Sequence, residues 1–164
     1  MGLRLSSEVL PLPRARVWPR LLRRVEWAAE LLHRAPRRLA IHRLGQRGED
    51  LAYWSLRARG YTIVARNFRR SAGQAAPEGE IDLIAFEGTP PTLVFIEVKT
   101  RAREGEIAAE AAVDADKRHH LVRLAHAYRR RRGYTGPHRF DVVVIYGPED
   151  ERPRLLLHRS AFRG

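Results

Sequence analysis

The chain has 164 residues, no cysteine, 44% hydrophobic and 30% charged residues, and a formal net charge of +12. That length holds one domain with a real core and an appendage. Disulfides, thiolate zinc sites and thiol nucleophiles are excluded, and no stretch approaches the ~20 apolar residues that span a bilayer. The charge favours a polyanionic partner, nucleic acid ahead of an anionic membrane. The lack of cysteine fits a reducing cytoplasm, which is the expected compartment.

Residues 1–40 form a basic N-terminal extension. It is rich in proline and arginine at first (Pro11, Pro13, Pro19) and then helical over 20–35, where Leu21, Leu22, Val25, Ala28, Ala29 and Leu32 recur at helical spacing before Pro36. Residues 41–164 are the expected catalytic-type domain. Within it, 45–59 predicts a helix with Gly48, Leu51, Ala52 and Leu56 on one stripe and Gly60 at its end. Strands follow at 61–67, 80–86 and 92–100, the last two joined across Glu87-Gly88-Thr89-Pro90-Pro91. A second helix is expected over 114–132, with Leu121, Leu124 and Tyr128 inward, then a strand at 139–146 and a short edge strand at 154–158. The order α-β-β-β-α-β-β predicts an α/β fold, a mixed sheet flanked by helices.

Of the 31 basic residues only Lys99 and Lys117 are lysines. Lysine is a compact ammonium that can sit close to a reacting oxygen, whereas arginine is a permanently charged planar fork. Lys99 ends an apolar strand in which Glu97 lies two residues earlier, on the same face. A hairpin centred between Thr89 and Pro90 pairs residues whose numbers sum to about 179. Asp82 then faces Glu97, Ile84 faces Phe95, and Phe86 faces Leu93.

Two carboxylates and an ammonium thus converge on a sheet made mostly of Ile, Leu, Val and Phe. Ionised groups in such a place lose several kcal/mol of hydration unless paired or metal-bound. Mg²⁺ (or Mn²⁺) resolves this, because it takes one or two carboxylates and several waters. Asp82 and Glu97 suit it, and the Val98 carbonyl completes the expected ligands. Such an ion activates water and polarises a phosphoryl oxygen, and Lys99 would offset the negative charge that develops. Glu49, three and seven residues before Ala52 and Leu56, lies on the helix stripe facing the sheet and is the fourth member. Lys117 stands four and seven residues before Leu121 and Leu124. It points either inward to a substrate phosphate or out to solvent. Asp141 is expected to serve the strand rather than the site. His119, His120 and His126 lack the i, i+4 spacing of a zinc pair. Arg69, Arg70, Arg101, Arg103, Arg118 and Arg123 could line the approach and neutralise phosphates without reading sequence.

Gly45-Gln46-Arg47-Gly48-Glu49-Asp50-Leu51-Ala52, Gly60-Tyr61, Asn67, Gly79-Glu80-Ile81-Asp82-Leu83-Ile84-Ala85, Val94-Phe95-Ile96-Glu97-Val98-Lys99-Thr100-Arg101, Val113, Lys117 and Arg139-Phe140-Asp141-Val142 together resemble the YraN-like bacterial proteins. These look like members of the PD-(D/E)XK nuclease superfamily, close to archaeal Holliday-junction resolvases. The resemblance covers roughly residues 42–162. It implies a restriction-endonuclease-like fold, metal ligation by Asp82 and Glu97, a catalytic Lys99 and a helix carboxylate at Glu49. One departure is that 71–78 lengthens the loop before Gly79, with Glu78 where the family has a glycine, which affects substrate shape more than metal binding. The expected function is a metal-dependent endonuclease hydrolysing DNA, branched or flapped structures included. DNA is favoured over RNA, and a homodimer suits paired cuts. The alternative is a nucleic-acid-binding module with a vestigial nuclease site.

Overall fold

The computed structural model describes residues 7–10, 37–69, 79–101, 114–150 and 152–164. In chain order the elements are β1 (Ser7–Leu10), α1 (Arg37–Ala58), β2 (Thr62–Phe68), β3 (Ile81–Glu87), β4 (Thr92–Arg101), α2 (Ala115–Arg132), β5 (His138–Tyr146) and β6 (Arg154–Phe162). The six strands form one mixed sheet in the order β1-β6-β5-β4-β3-β2, with β4 and β5 parallel and all other neighbours antiparallel. The helix expected over 20–35 and the loop at 71–78 lie outside the described residues.

Period-two alternation splits the sheet into two cores. Leu83, Ala85, Val94, Ile96, Val143 and Ile145 meet Leu51, Ala52 and Leu56 of α1 on one face. Ile84, Leu93, Phe95, Phe140, Val142 and Val144 meet Leu121, Leu124, Ala125 and Tyr128 of α2 on the other. Both helices are amphipathic in the expected register, so each buries one stripe. The α2 helix starts at Asp114, whose side chain accepts from the Lys117 N–H at 2.7 Å, and ends at Gly133 in the left-handed region.

The β3–β4 hairpin has the expected register: Ile84 pairs with Phe95 and Phe86 with Leu93. Two expectations are corrected. The last strand runs to Phe162 instead of ending near 158, and it is not an edge, because β1 covers it. The first helix starts at Arg37, directly after Pro36, rather than near 45.

Candidate active site

The β3–β4 ladder stops before β4 does. Leu83–Ile96 is the last pair between them, yet β4 continues beside β5 from Glu97 to Arg101. The end of β4 is therefore flanked by sheet on one side only. Beyond that last pair the Val98 N–H donates to Asp82 Oδ2 at 2.7 Å. The carboxylate thus takes the place of a backbone acceptor and holds the notch open.

Alternation turns Glu97 and Lys99 to the face carrying Phe95, where α2 packs. Glu97 is only 3% exposed. Its Oε1 receives Lys99 Nζ at 2.7 Å and Lys117 Nζ at 3.2 Å. Both lysines of the chain therefore meet at one carboxylate oxygen. Lys117 points inward because the Asp114 cap fixes the first turn of α2, and Leu121 and Leu124 then anchor its stripe. The other oxygen, Glu97 Oε2, is buried and has no hydrogen-bond partner among the described residues.

A cavity of about 460 Å³ opens at this notch, lined by Glu49, Asp82, Glu97, Val98, Thr100 and Arg101 among others. Glu49 enters it from α1. Gly48 makes that approach possible: a Cβ there would collide with Thr100 Oγ1. Burial pushes the Asp82 carboxyl up to about 7, and repulsion by Glu97 adds to this, against the Val98 hydrogen bond and the Lys117 charge. Burial also raises Glu49, helped by Glu80 and opposed by Arg66 and by a hydrogen bond from Asn67.

Asp82 and Glu97 are the residues here that could hold a cation. A buried orphan oxygen on Glu97 and a carboxyl at Asp82 pushed up by burial and then by Glu97 would both be relieved by a positive charge between them. Among the described residues no three His, Cys, Asp or Glu side chains form a ready-made metal cage. The donor set instead suits an ion that keeps much of its water, such as Mg²⁺.

The expected site residues Glu49, Asp82, Glu97 and Val98 share the cavity, and Lys99 and Lys117 join them through Glu97. Arg101 lines the cavity, and Arg69 pairs with Glu80 at 2.8 Å. Arg118 lies over the Phe162 ring at 6.0 Å and is not among the cavity-lining residues. Arg70, Arg103 and Val113 lie outside the described residues. Asp141 is buried against Arg139, with the face that Ile96 occupies and away from Glu97, which agrees with a structural role. Glu149 and Asp150 also line the cavity, a placement with no sequence signal. They arrive because the Gly147 N–H donates to the Arg101 carbonyl at 3.0 Å and folds the β5–β6 turn over the end of β4.

A mixed six-stranded sheet between helices, with Asp, Glu and Lys at the strand ends, defines an α/β protein of the restriction-endonuclease-like class. Residues 48–145 match the model of the family described as "Uncharacterised protein family UPF0102", and the chain belongs to that YraN-like family. It is 46% identical to a UPF0102 protein of Koribacter versatilis over 118 residues, covering 72% of this chain and 78% of that one. It is 44% identical to one of Solibacter usitatus over 137 residues (80% and 98%) and 44% identical to one of Symbiobacterium thermophilum over 121 (73% and 96%).

Proposed function

We propose that the protein is a Mg²⁺- or Mn²⁺-dependent endonuclease that hydrolyses phosphodiester bonds in DNA. The observation that carries this is the division of labour at Glu97: two ammonium groups hold Oε1, and buried Oε2 is left without a partner. Asp82 and Glu97 are the residues that would hold the ion, with the Val98 carbonyl and Glu49 at its margin.

The ion, when bound, supplies a Lewis acid that lowers the pKa of water and polarises a phosphoryl oxygen. The chain's own groups do the rest. The Lys99 ammonium fixes the Glu97 rotamer and stands where it can offset charge developing on the phosphoryl oxygens. Lys117, on the same carboxylate oxygen from the other element, can turn to a substrate phosphate. Glu49 closes the cavity from α1, and its raised pKa suits it to taking up a proton from the attacking water. Arg101, which lines the cavity, and the exposed Arg69 would position the backbone. No helix among the described residues is long and apolar enough to cross a membrane. A cytoplasmic enzyme, dimeric where paired cuts are needed, suits this activity.

The test incubates the full chain with linear, branched and single-stranded DNA in Mg²⁺, Mn²⁺ or chelator, beside Asp82→Ala, Glu97→Ala and Lys99→Ala. Cleavage that needs the metal and falls by at least about 10²-fold in each variant is expected. Cleavage that survives all three substitutions, or that occurs with neither ion, removes the proposal.

A further inference from the structure

Tyr53 and Trp54 stand next to one another on α1, their rings 5.0 Å apart at 88°. Tyr53 leans on the α1 core, but among the described residues Trp54 belongs to neither core and is only half-buried. The Arg57 guanidinium lies 5.6 Å from both rings and donates to the Tyr53 hydroxyl at 3.1 Å. Arg66, from β2, lies 4.9 Å over the Tyr53 ring and pairs with Asp50 at 2.6 Å. Two rings and two exposed guanidinium groups thus interleave on the outer side of the molecule, next to the edge strand β2. Nothing in the α/β core requires a tryptophan here.

This surface is continuous with the cavity. Arg66 adjoins Asn67, whose side chain hydrogen-bonds Glu49, and Glu49 lines the cavity. Tyr53 is one helical turn beyond Glu49, about 6 Å along the axis.

We infer that Tyr53, Trp54, Arg57 and Arg66 form a docking platform for an unpaired stretch of nucleic acid leading to or from the carboxylate cavity. Rings accept base faces, and arginines accept phosphates or stack on bases. The faces of bases inside a duplex are already stacked, so the platform selects strands whose bases are splayed out. The net charge of +12 supplies the complementary field. The substrate class is therefore a nucleic acid with a single-stranded arm or flap, in preference to uninterrupted duplex. The cleavage of that arm rests on the nuclease proposal above; the docking of it does not.

Binding is measured with the full chain in chelator, so that nothing is cut, using a short oligothymidylate and a blunt duplex of equal length. Trp54→Leu keeps apolar volume and removes the ring; Trp54→Phe keeps a ring. Trp54→Leu should weaken oligothymidylate binding on the order of tenfold, leave duplex binding unchanged, and be largely rescued in Trp54→Phe. Equal loss on both ligands, loss on neither, or a Phe variant as weak as the Leu variant overturns the inference. If the selective loss is seen but no DNA is cut in Mg²⁺ or Mn²⁺, the platform stands and the nuclease proposal fails.

Discussion

The sheet buries two charged clusters, one towards each helix layer, and they are finished differently. Behind β5, both Asp141 oxygens are taken: Oδ1 by Arg139 Nε and the Ser160 N–H, Oδ2 by the Arg139 guanidinium. Glu87 is likewise spread over Arg139 and Arg159, and Arg139 also reaches the Tyr61 hydroxyl at 3.2 Å. All four carboxylate oxygens there have partners. At the end of β4, by contrast, both lysines crowd onto Glu97 Oε1, Oε2 has none, and Asp82 is pushed up to about 7. The first cluster leaves no carboxylate oxygen open. The second leaves a buried carboxylate acceptor open among the described residues. A buried charge cluster points to chemistry when its acceptors are left open, rather than through its burial alone.

The sharpest way to break this comparison is to unbalance the complete cluster. Arg139→Met strands Asp141 in a buried place, while Glu87 keeps Arg159, and removing one partner of a buried pair costs about 3–5 kcal/mol. Denaturant unfolding should show that loss. Arg139→Met with Asp141→Leu should recover much of it, because the apolar pair packs without an orphaned charge. Since Asp141 lies away from Glu97, cleavage per folded molecule should be unchanged in the double variant. A large loss of cleavage there would mean that the two clusters act as one.

How much of this was legible in the sequence depends on how local the cause is. The Ile84–Phe95 and Phe86–Leu93 pairs follow from a short turn and strict alternation; the ladder ends at Leu83–Ile96, so Asp82 and Glu97 are not a cross-strand pair but share the cavity beyond it. The placement of Glu49 followed from counting along one helix. The direction of Lys117 stayed open, because it depends on which residue caps α2, and only the bond from its N–H to Asp114 decides that. The four residues of β1 carry no strand pattern of their own; they are a strand because β6 offers them an edge. For the same reason β6 is longer and more interior than its sequence suggested. Glu149 and Asp150 come to the cavity through a non-local backbone bond, and the Trp54 platform needs Arg66 from another element. No periodicity reports such meetings.

The open cluster makes the next prediction. A carboxyl whose folded pKa is about 7, against 3.8 ordinarily, binds more protons in the native state than in the unfolded one. Its cost to stability is absent below pH ~4, grows between pH ~4 and 7, and is constant above. Asp82→Asn keeps an oxygen for the Val98 N–H and removes the charge. Without metal it should stabilise the fold at pH 8 by roughly 2–4 kcal/mol and flatten the fall in stability between pH 4 and 7. Mg²⁺ should raise the melting temperature of the parent protein at pH 8, by mass action on the native state, and leave Asp82→Asn unmoved. A variant no more stable than its parent at pH 8 would show that Asp82 already has all the compensation it needs.

The smallest expected effect tests how the open cluster is assembled. Glu49 reaches the cavity because α1 lies tight against β4 at Gly48, where an added Cβ would overlap Thr100 Oγ1. Ala is the better helix former by up to about 1 kcal/mol, so propensity alone favours Gly48→Ala. Overpacking opposes it by roughly 1–3 kcal/mol, and the net should be a modest loss of stability together with a displaced Glu49. Thr100→Ala removes the colliding oxygen. The next nearest atoms, Ile145 Cδ1 and Thr100 Cβ, stand at 3.5 Å, an ordinary contact. Gly48→Ala in a Thr100→Ala background should therefore be neutral or stabilising, and the two substitutions together should couple by 1 kcal/mol or more in a double-mutant cycle, as residues in contact do. Additive effects would place the cause of the tight approach somewhere other than this contact.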